Sequence, residues 1–416
     1  MPDQNTVQKR AVLWNAVASV LNSFQTMLLL IILTRFGTDA DSGNFVMAYA
    51  AGNLMMNIGK FGMRQYQVTD VAEKYSFSEY IHSRYFTMAL MAAATFIYLL
   101  WGVLGKGYTS EKAAFVLLIC VYKGIEAAED VFHGRLQQQG RLDIAAKILT
   151  LRFLVFILGF AVTYLLTRNL VLTGIVNVGI TLVLCLLLNK KAASGMARKP
   201  EQEPAKGVPF SLLKECLPLA VMMITYMYLG NAPKYIIDGV VSDEVQTCFN
   251  IVFMPAFVIA LLASFIYNPV LRQIGELWAE GKAKQLKKLA GKLALIPIAL
   301  TIAAVIAGYF LGPWIFGLVY KVDVTAYRTE LVVFLIASGV MALLNLCTAL
   351  ITAMRKQPHL LYTFSAASLL TFLLGRLVLE KGGLTVLSLF YLGVLCAVVL
   401  SCVVVILLTL NRKQST

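Results

Sequence analysis

The sequence predicts an all-α membrane protein with about twelve transmembrane helices, arranged as two six-helix bundles around a central cleft. Three observations lead there. Of 416 residues, 59% are apolar and only 14% charged, whereas soluble domains run near 45–50% and about 25%. Mean hydropathy is +0.75. At about 20 residues per spanning helix, twelve spans leave short connections and no room for a sizeable soluble domain. The third observation is a break rich in Lys, Pro and Gly, NKKAASGMARKPEQEPAKGVPF at 189–210, which separates six apolar stretches from six more.

The stretches expected to span are 11–34, 43–62, 85–104, 113–132, 148–167, 170–188, 215–237, 245–268, 290–311, 329–353, 359–379 and 385–410. The first is too long for a cleavable leader and is followed by no small-residue cleavage site. The domains are then 1–188, the linker 189–210 and 211–416. Within the second half an offset of 204 residues sets Thr38-Asp39 and Phe45 on Ser242-Asp243 and Phe249. Two six-span halves in the same orientation are parallel repeats about an axis along the membrane normal.

Charge fixes the expected orientation. Lys and Arg total 36 against 22 Asp and Glu, a net +14. With the N-terminus inside, only Arg35, Lys106, Lys112, Arg168, Lys321, Arg328 and Lys381 fall in outer segments, and most of the rest fall in inner ones. That is positive-inside asymmetry, so both termini are expected in the cytoplasm and the net charge does not imply nucleic acid. The seven cysteines sit in or at the ends of apolar stretches without CxxC spacing, and the three histidines lack HxxxH spacing. No metal and no cofactor are expected. Walker A, HExxH, GxSxG and a loop carboxylate pair are all missing, so no catalytic constellation is expected.

The informative residues lie inside the spans. On the fourth, Lys123, Glu126 and Asp130 are spaced i, i+3, i+7 and share one face, with Glu129 beside it. A charge at the bilayer centre costs about 2.5–3.5 kcal/mol on insertion scales, so this face must meet opposite charge or water. Either it is a self-neutralised ion pair with an acidic inner end, or it lines a cavity with a carboxylate coupled to an ion. The two readings are compatible, and Glu126, Glu129, Asp130 and Asp238 are the ion-coupling candidates. On the first span Asn15, Ser19, Asn22 and Thr26 form a polar stripe, with Gln25 adjacent, expected to face a wet lumen. The seventh carries Asn231, Lys234 and Tyr235, and Pro233 is expected to break the helix there; Pro255 is a further bend site. Lys60, Arg64, Arg152 and Arg376 add cations near span ends. Such an interior suits an anion, and phosphate is the anion that most readily takes several Lys and Arg.

Gly62-Met63-Arg64-Gln65-Tyr66-Gln67-Val68-Thr69-Asp70 resembles the G-x-R-x-Y-x-V-[ST]-D run of polysaccharide-repeat-unit flippases. The segments Glu129–Gly134, Gln138–Asp143 with Arg152, Asn231–Asp238 and Asn268-Pro269 are similar to the same family, within the multidrug/oligosaccharidyl-lipid/polysaccharide exporter superfamily. The resemblance implies a bacterial cytoplasmic (inner) membrane protein that moves polyprenyl-diphosphate-linked oligosaccharides outward by alternating access, for capsule, O-antigen or teichoic-acid type polymers. It implies as partners the lipid bilayer, that lipid-linked glycan and other polysaccharide-assembly membrane proteins. By position Arg64, Arg141, Arg152 and Lys234 become candidates for diphosphate or sugar contact, alongside Lys60, Lys123 and Arg376. Lipid II flippases generally have fourteen spans, two more than here. A multidrug and toxin extrusion antiporter is the alternative, using Glu126, Glu129 and Asp130 for cations and coupling ions. A membrane polymerase would need a larger outer loop than 312–328. A major facilitator would need a G-x-x-x-D-[RK]-x-G-[RK]-[RK] run where Arg64-to-Asp70 stands.

Overall fold

The computed structural model describes residues 4–70, 74–194 and 209–415. Most of the expected 189–210 linker, from 195 to 208, therefore lies outside the described residues. The chain packs into two compact units, Met1–Met227 and Tyr228–Thr416.

Unit one begins with α1 (Gln4–Phe36) and α2 (Asp39–Lys60). Thr38 caps α2 through a reciprocal box with Asp41, which satisfies two of the otherwise orphan N–H groups. α2 stops where Phe61 and Gly62 both take positive φ. The short α3 (Met63–Thr69) follows, then α4 (Phe77–Lys106), whose box joins Ser76 to Glu79. α5 (Ser110–Gln138) is capped by Thr109, α6 (Leu142–Thr167) ends at Arg168 in the left-handed region, and α7 (Leu170–Ser194) completes the set. The first part of α8 (Phe210–Ile237) belongs to this unit as well.

α5 is the central helix of unit one, packing along α2 and α7 and touching α3, α4 and α6. The approach of α2 is close because Gly52 faces α5: a Cβ there would stand 2.9 Å from Ile119 and 3.1 Å from Lys123. Aromatic rings fill part of this core. Tyr122 stacks on Phe156 at 4.0 Å between centroids, and Phe45 meets Tyr49 and Phe160 at 4.8 and 5.5 Å.

Unit two continues with α9 (Asp243–Phe253), capped by the Ser242 hydroxyl, which accepts from the Val245 amide. A 3-10 turn at Met254–Phe257, carrying Pro255, leads into α10 (Val258–Ala279). α11 (Ala283–Tyr320), α12 (Arg328–Ala353) and α13 (Gln357–Ser415) follow. α13 is two helices meeting at Gly383, whose φ of 70° is non-helical, so the expected spans at 359–379 and 385–410 are its two arms. α12 is central here, packed by α10, α11 and α13. Phe334 on α12 takes Phe249 and Phe253 edge-on at 5.2 and 4.8 Å.

Pro255 bends the chain as expected, but Pro233 does not. α8 runs unbroken through it to Ile237 and ends in a turn at Gly239. A proline near a helix end removes only one N–H, and in a membrane helix neighbours re-satisfy the carbonyl so freed. The expected break at Pro233 is therefore replaced by continuous helix.

Among the described residues, nine segments are long and apolar enough to cross a membrane, one of them being both arms of α13. α2 and α5 are not in that set. Location, not hydropathy, separates α11 from α12: the most apolar stretch of α11 is 11% buried and that of α12 is 67% buried. Large apolar side chains such as Phe310 and Trp314 on α11, and Phe96 and Leu104 on α4, point outward, as expected where lipid tails are the solvent.

Candidate functional site

The two helices too polar to count as ordinary spans, α2 and α5, pack against each other and carry the site. α5 presents three carboxylates over little more than one turn, and every one is met by cations from other helices. Glu126 takes Lys60 of α2 at 3.0 Å, Lys123 of its own helix at 3.3 Å and Arg152 of α6 at 3.3 Å. Glu129 takes Arg152 at 2.5 Å. Asp130 takes Arg64 of α3 at 3.3 Å and Arg84 of α4 at 3.5 Å. Lys123 and Glu126 form the expected i,i+3 pair, and four further helices supply the remaining counter-charge.

Within this network Lys60, Arg64, Arg84, Lys123 and Arg152 outnumber Glu126, Glu129 and Asp130, so it is net positive. Removing one partner from a buried ion pair costs about 3–5 kcal/mol, because the other charge is stranded. The cations differ in access. Lys123, Arg84 and Arg152 are buried, whereas the side chains of Lys60 and Arg64 retain 20% and 23% of their exposure.

Lys60 and Arg64 line a cavity of about 530 Å³ within unit one. Asn57, Gln65, Asp130 and Gln137 complete its polar wall, and Met56, Val68, Met223 and Met227 its apolar one. Arg64 is oriented by Gln137, whose Oε1 accepts from Nε and Nη2 at 3.2 and 3.0 Å, leaving Nη1 for Asp130. Lys60 ends α2 and Arg64 opens α3, so the Phe61–Gly62 reversal between them holds both cations at one mouth. A planar guanidinium and an ammonium lining one cavity suit an oxyanion bearing several oxygens.

The other expected residues divide clearly. Gln25 is buried and donates to Tyr49 Oη at 2.7 Å and Tyr122 Oη at 3.3 Å; Lys123 sits over both rings at 5.2 and 5.3 Å. Asn15, Ser19 and Asn22 stay exposed along α1. Arg141 is exposed at the start of α6, paired with Asp143 at 3.1 Å, and does not join the network. In unit two Asn231, Lys234 and Asp238 are all buried, with Lys234 Nζ 5.2 Å from the centroid of Phe253. Arg376 is exposed and pairs with Glu380 one turn on at 2.8 Å. Asn268 and Pro269 lie within α10, their side chains outside the described residues.

Sequence reasoning missed Arg84. The span expected from hydropathy is 85–104, which leaves Arg84 one residue outside it. The helix starts eight residues earlier, and the Ser76-x-x-Glu79 capping box was the available signal. Arg84 is thereby two turns inside α4, where it donates to the Gly59 carbonyl in the last turn of α2. The 62–70 run also has a second duty. A Cβ on Gly62, which has φ +65°, would stand 2.8 Å from Leu219 Cβ of α8. Tyr66 donates to Glu215, which also takes Lys74 Nζ at 2.6 Å and Tyr75 Oη at 3.1 Å. Asp70 accepts from the Lys74 and Tyr75 amides and from Tyr80 Oη. The hydrogen bond to Glu215 pushes the Tyr66 phenol up to about 12 and raises Lys74 above the usual lysine range. The run therefore ties α3 and its following turn to the start of α8 while presenting Arg64 to the cavity.

No family model matches the chain. Its fold is that of transporters. A multidrug resistance MATE family transporter of the MOP superfamily, in an inward-facing conformation, superposes with a TM-score of 0.64 at 14% identity, over 96% of this chain and 98% of that one. A MATE transporter of Vibrio cholerae, VcmN in its bent form, gives 0.62 at 10% identity, over 100% and 99%. A MOP superfamily transporter from Pyrococcus furiosus gives 0.61 at 13%, over 99% and 96%; its binding pocket is described as having a reverse polarity that suggests a different function. The chain therefore has the twelve-helix, two-lobe fold of MATE transporters and is a multi-pass membrane protein. Among curated proteins it is similar to the capsular polysaccharide biosynthesis protein CapF of Staphylococcus aureus, 21% identical over 309 residues, which are 73% of this chain and 75% of that protein.

Proposed function

We propose that the protein moves polyprenyl-diphosphate-linked oligosaccharides across a bacterial cytoplasmic membrane, for assembly of a surface polysaccharide. The observation that carries this reading is the cavity at the α2–α3 junction, lined by Lys60 and Arg64 and backed by a network with more cations than carboxylates. A diphosphate is the part of such a substrate that needs two or more fixed cations, and Arg–phosphate pairs are geometrically selective. The similarity to a capsule-biosynthesis protein and to transporters of the MOP superfamily supports it. With the termini in the cytoplasm, as the loop charges favour, the cavity lies toward the cytoplasmic end, where the substrate is made. The lipid chain remains in the bilayer while the glycan and diphosphate pass.

An organic-cation antiporter shares the fold, but its embedded carboxylates would have to be free to bind cations. Here Glu126, Glu129 and Asp130 are each already paired with Lys or Arg. The test is leaflet exchange in proteoliposomes. A fluorescent polyprenyl-diphosphate oligosaccharide is followed by its accessibility to an added quencher. Protein-dependent exchange supports the reading. Absence of exchange, with proton- or sodium-driven uptake of an organic cation instead, overturns it in favour of the antiporter.

A further inference from the structure

Resting on the cationic-cavity reading, we infer that Arg84 is a positioning residue: it holds the charge of Asp130 so that Arg64 is free to transfer to an anionic ligand. The inference starts from a problem in the site itself. Arg64 is one of the two partly exposed cations at the cavity, yet it is already bound to Asp130 at 3.3 Å. If that were Asp130's only counter-charge, any anion that drew Arg64 away would strand a buried carboxylate, and stranding a buried ion is strongly unfavourable. The cavity would then be cationic in composition and closed in energy.

Arg84 removes the difficulty. Its side chain is 3% exposed and stands 3.5 Å from the other oxygen of Asp130, so the two arginines hold opposite edges of one carboxylate. Arg84 cannot itself reach a ligand at the cavity, because it is buried and anchored on the Gly59 carbonyl at the C-terminal end of α2. That end carries partial negative charge, which favours a cation there. The Arg84 Nε is buried without a hydrogen-bond partner, so this guanidinium has spare donor capacity to turn toward Asp130 when Arg64 leaves. Gln137, which accepts from Arg64 as a neutral group, is left uncharged by the same departure.

The arrangement recurs one turn away. Glu126 is shared by the more exposed Lys60 and by the buried Lys123 and Arg152. Asp130, which lines the cavity, and Glu126 one turn behind it thus each have one releasable cation, Arg64 or Lys60, and at least one that stays. The buried cations act through the carboxylates and the exposed pair acts on the ligand.

The test is a double-mutant cycle between Arg84 and Arg64, with inorganic pyrophosphate as the probe and calorimetric binding to the purified full-length protein in nanodiscs as the readout. A charge-assisted hydrogen bond is worth about a factor of ten or more. Arg84→Gln is expected to weaken pyrophosphate binding about tenfold in the native background, and by less than about twofold where Arg64→Gln is already present, because there is no Arg64 left to release. Arg84→Lys restores most of the affinity. Arg84→Gln combined with Asp130→Asn, which leaves no carboxylate for Arg84 to hold or to strand, is expected to bind pyrophosphate within about twofold of Asp130→Asn alone; this arm decides the matter if Arg84→Gln by itself does not fold. Equal factors in both backgrounds would mean that Arg84 contributes only its field or its packing, and would overturn the inference while leaving the cationic cavity standing. A native protein that binds pyrophosphate no better than Arg64→Gln would overturn the cavity reading itself.

Discussion

α5 and α12 hold the same position in their respective units, a central helix wrapped by its neighbours, yet they are built from opposite chemistry. α5 buries Lys123, Glu126, Glu129 and Asp130 and collects Lys60, Arg64, Arg84 and Arg152 around them. α12 buries Val333, Phe334, Leu335, Met341, Leu344 and Leu350, and its one deeply buried acid, Glu330, sits in the first turn, where it accepts from Thr385. An apolar centre is enough to hold a bundle together, as α12 demonstrates. The charge on α5 is therefore not a requirement of the fold. It is costly to bury, and the cavity it adjoins is where that cost has a use.

The comparison is broken most severely by removing single members of either core. Arg152→Ala takes from Glu129 the cation that stands 2.5 Å away and weakens the hold on Glu126, and is expected to cost about 3–5 kcal/mol. Phe334→Ala is expected to cost a similar amount, about 3–5 kcal/mol, by opening a cavity among Phe249, Phe253 and Tyr391. The two differ in how they are rescued. Arg152→Leu combined with Glu129→Leu should recover most of the loss, because an ion pair replaced as a pair is often neutral or better. No second truncation beside Phe334→Ala should recover anything. Thermal unfolding in detergent, followed by loss of monodisperse protein, measures both.

A smaller effect is expected where the helices approach closely. Gly52→Ala places a methyl 2.9 Å from Ile119 and displaces the stem of Lys123, and Gly339→Ala in unit two meets the Thr301 side chain. Each is an overpacking change of about 1–3 kcal/mol. Only Gly52→Ala should also reduce transport at permissive temperature, since it alone shifts a member of the charged network. Smallest of all, Arg141→Ala and Arg376→Ala should leave transport within about twofold, because exposed pairs of this kind are worth about 0–1 kcal/mol. A tenfold loss from either would move the site away from α5.

Much of this was legible in the sequence, and for definable reasons. Spans announce themselves because lipid requires long apolar helices, so nine segments among the described residues stand out by hydropathy, and the two-arm nature of α13 was anticipated by the gap between 379 and 385. The charged face of α5 was legible because Lys123, Glu126 and Asp130 fall on one helical side. Their partners were not, since Lys60, Arg64 and Arg152 are brought in by tertiary packing that spacing along the chain does not encode. Arg84 was hidden for another reason: hydropathy marks where a helix becomes apolar, whereas the Ser76–Glu79 box marks where it begins. Pro233 misled because a proline is read as a break, while α8 continues past it to Ile237. The pairing of Tyr66 with Glu215 spans 149 positions and has no local signature.

The most direct test of the account is leaflet exchange of the lipid-linked oligosaccharide in proteoliposomes containing the Lys60→Gln/Arg64→Gln protein, with circular dichroism and unfolding temperature as controls. Both residues are partly exposed at the cavity and neither is needed to neutralise its carboxylate, because Lys123, Arg152 and Arg84 remain. The account predicts a folded, stable protein whose exchange rate falls at least about a hundredfold, roughly tenfold for each lost charge-assisted contact. A folded double variant that exchanges the lipid at the native rate would contradict it.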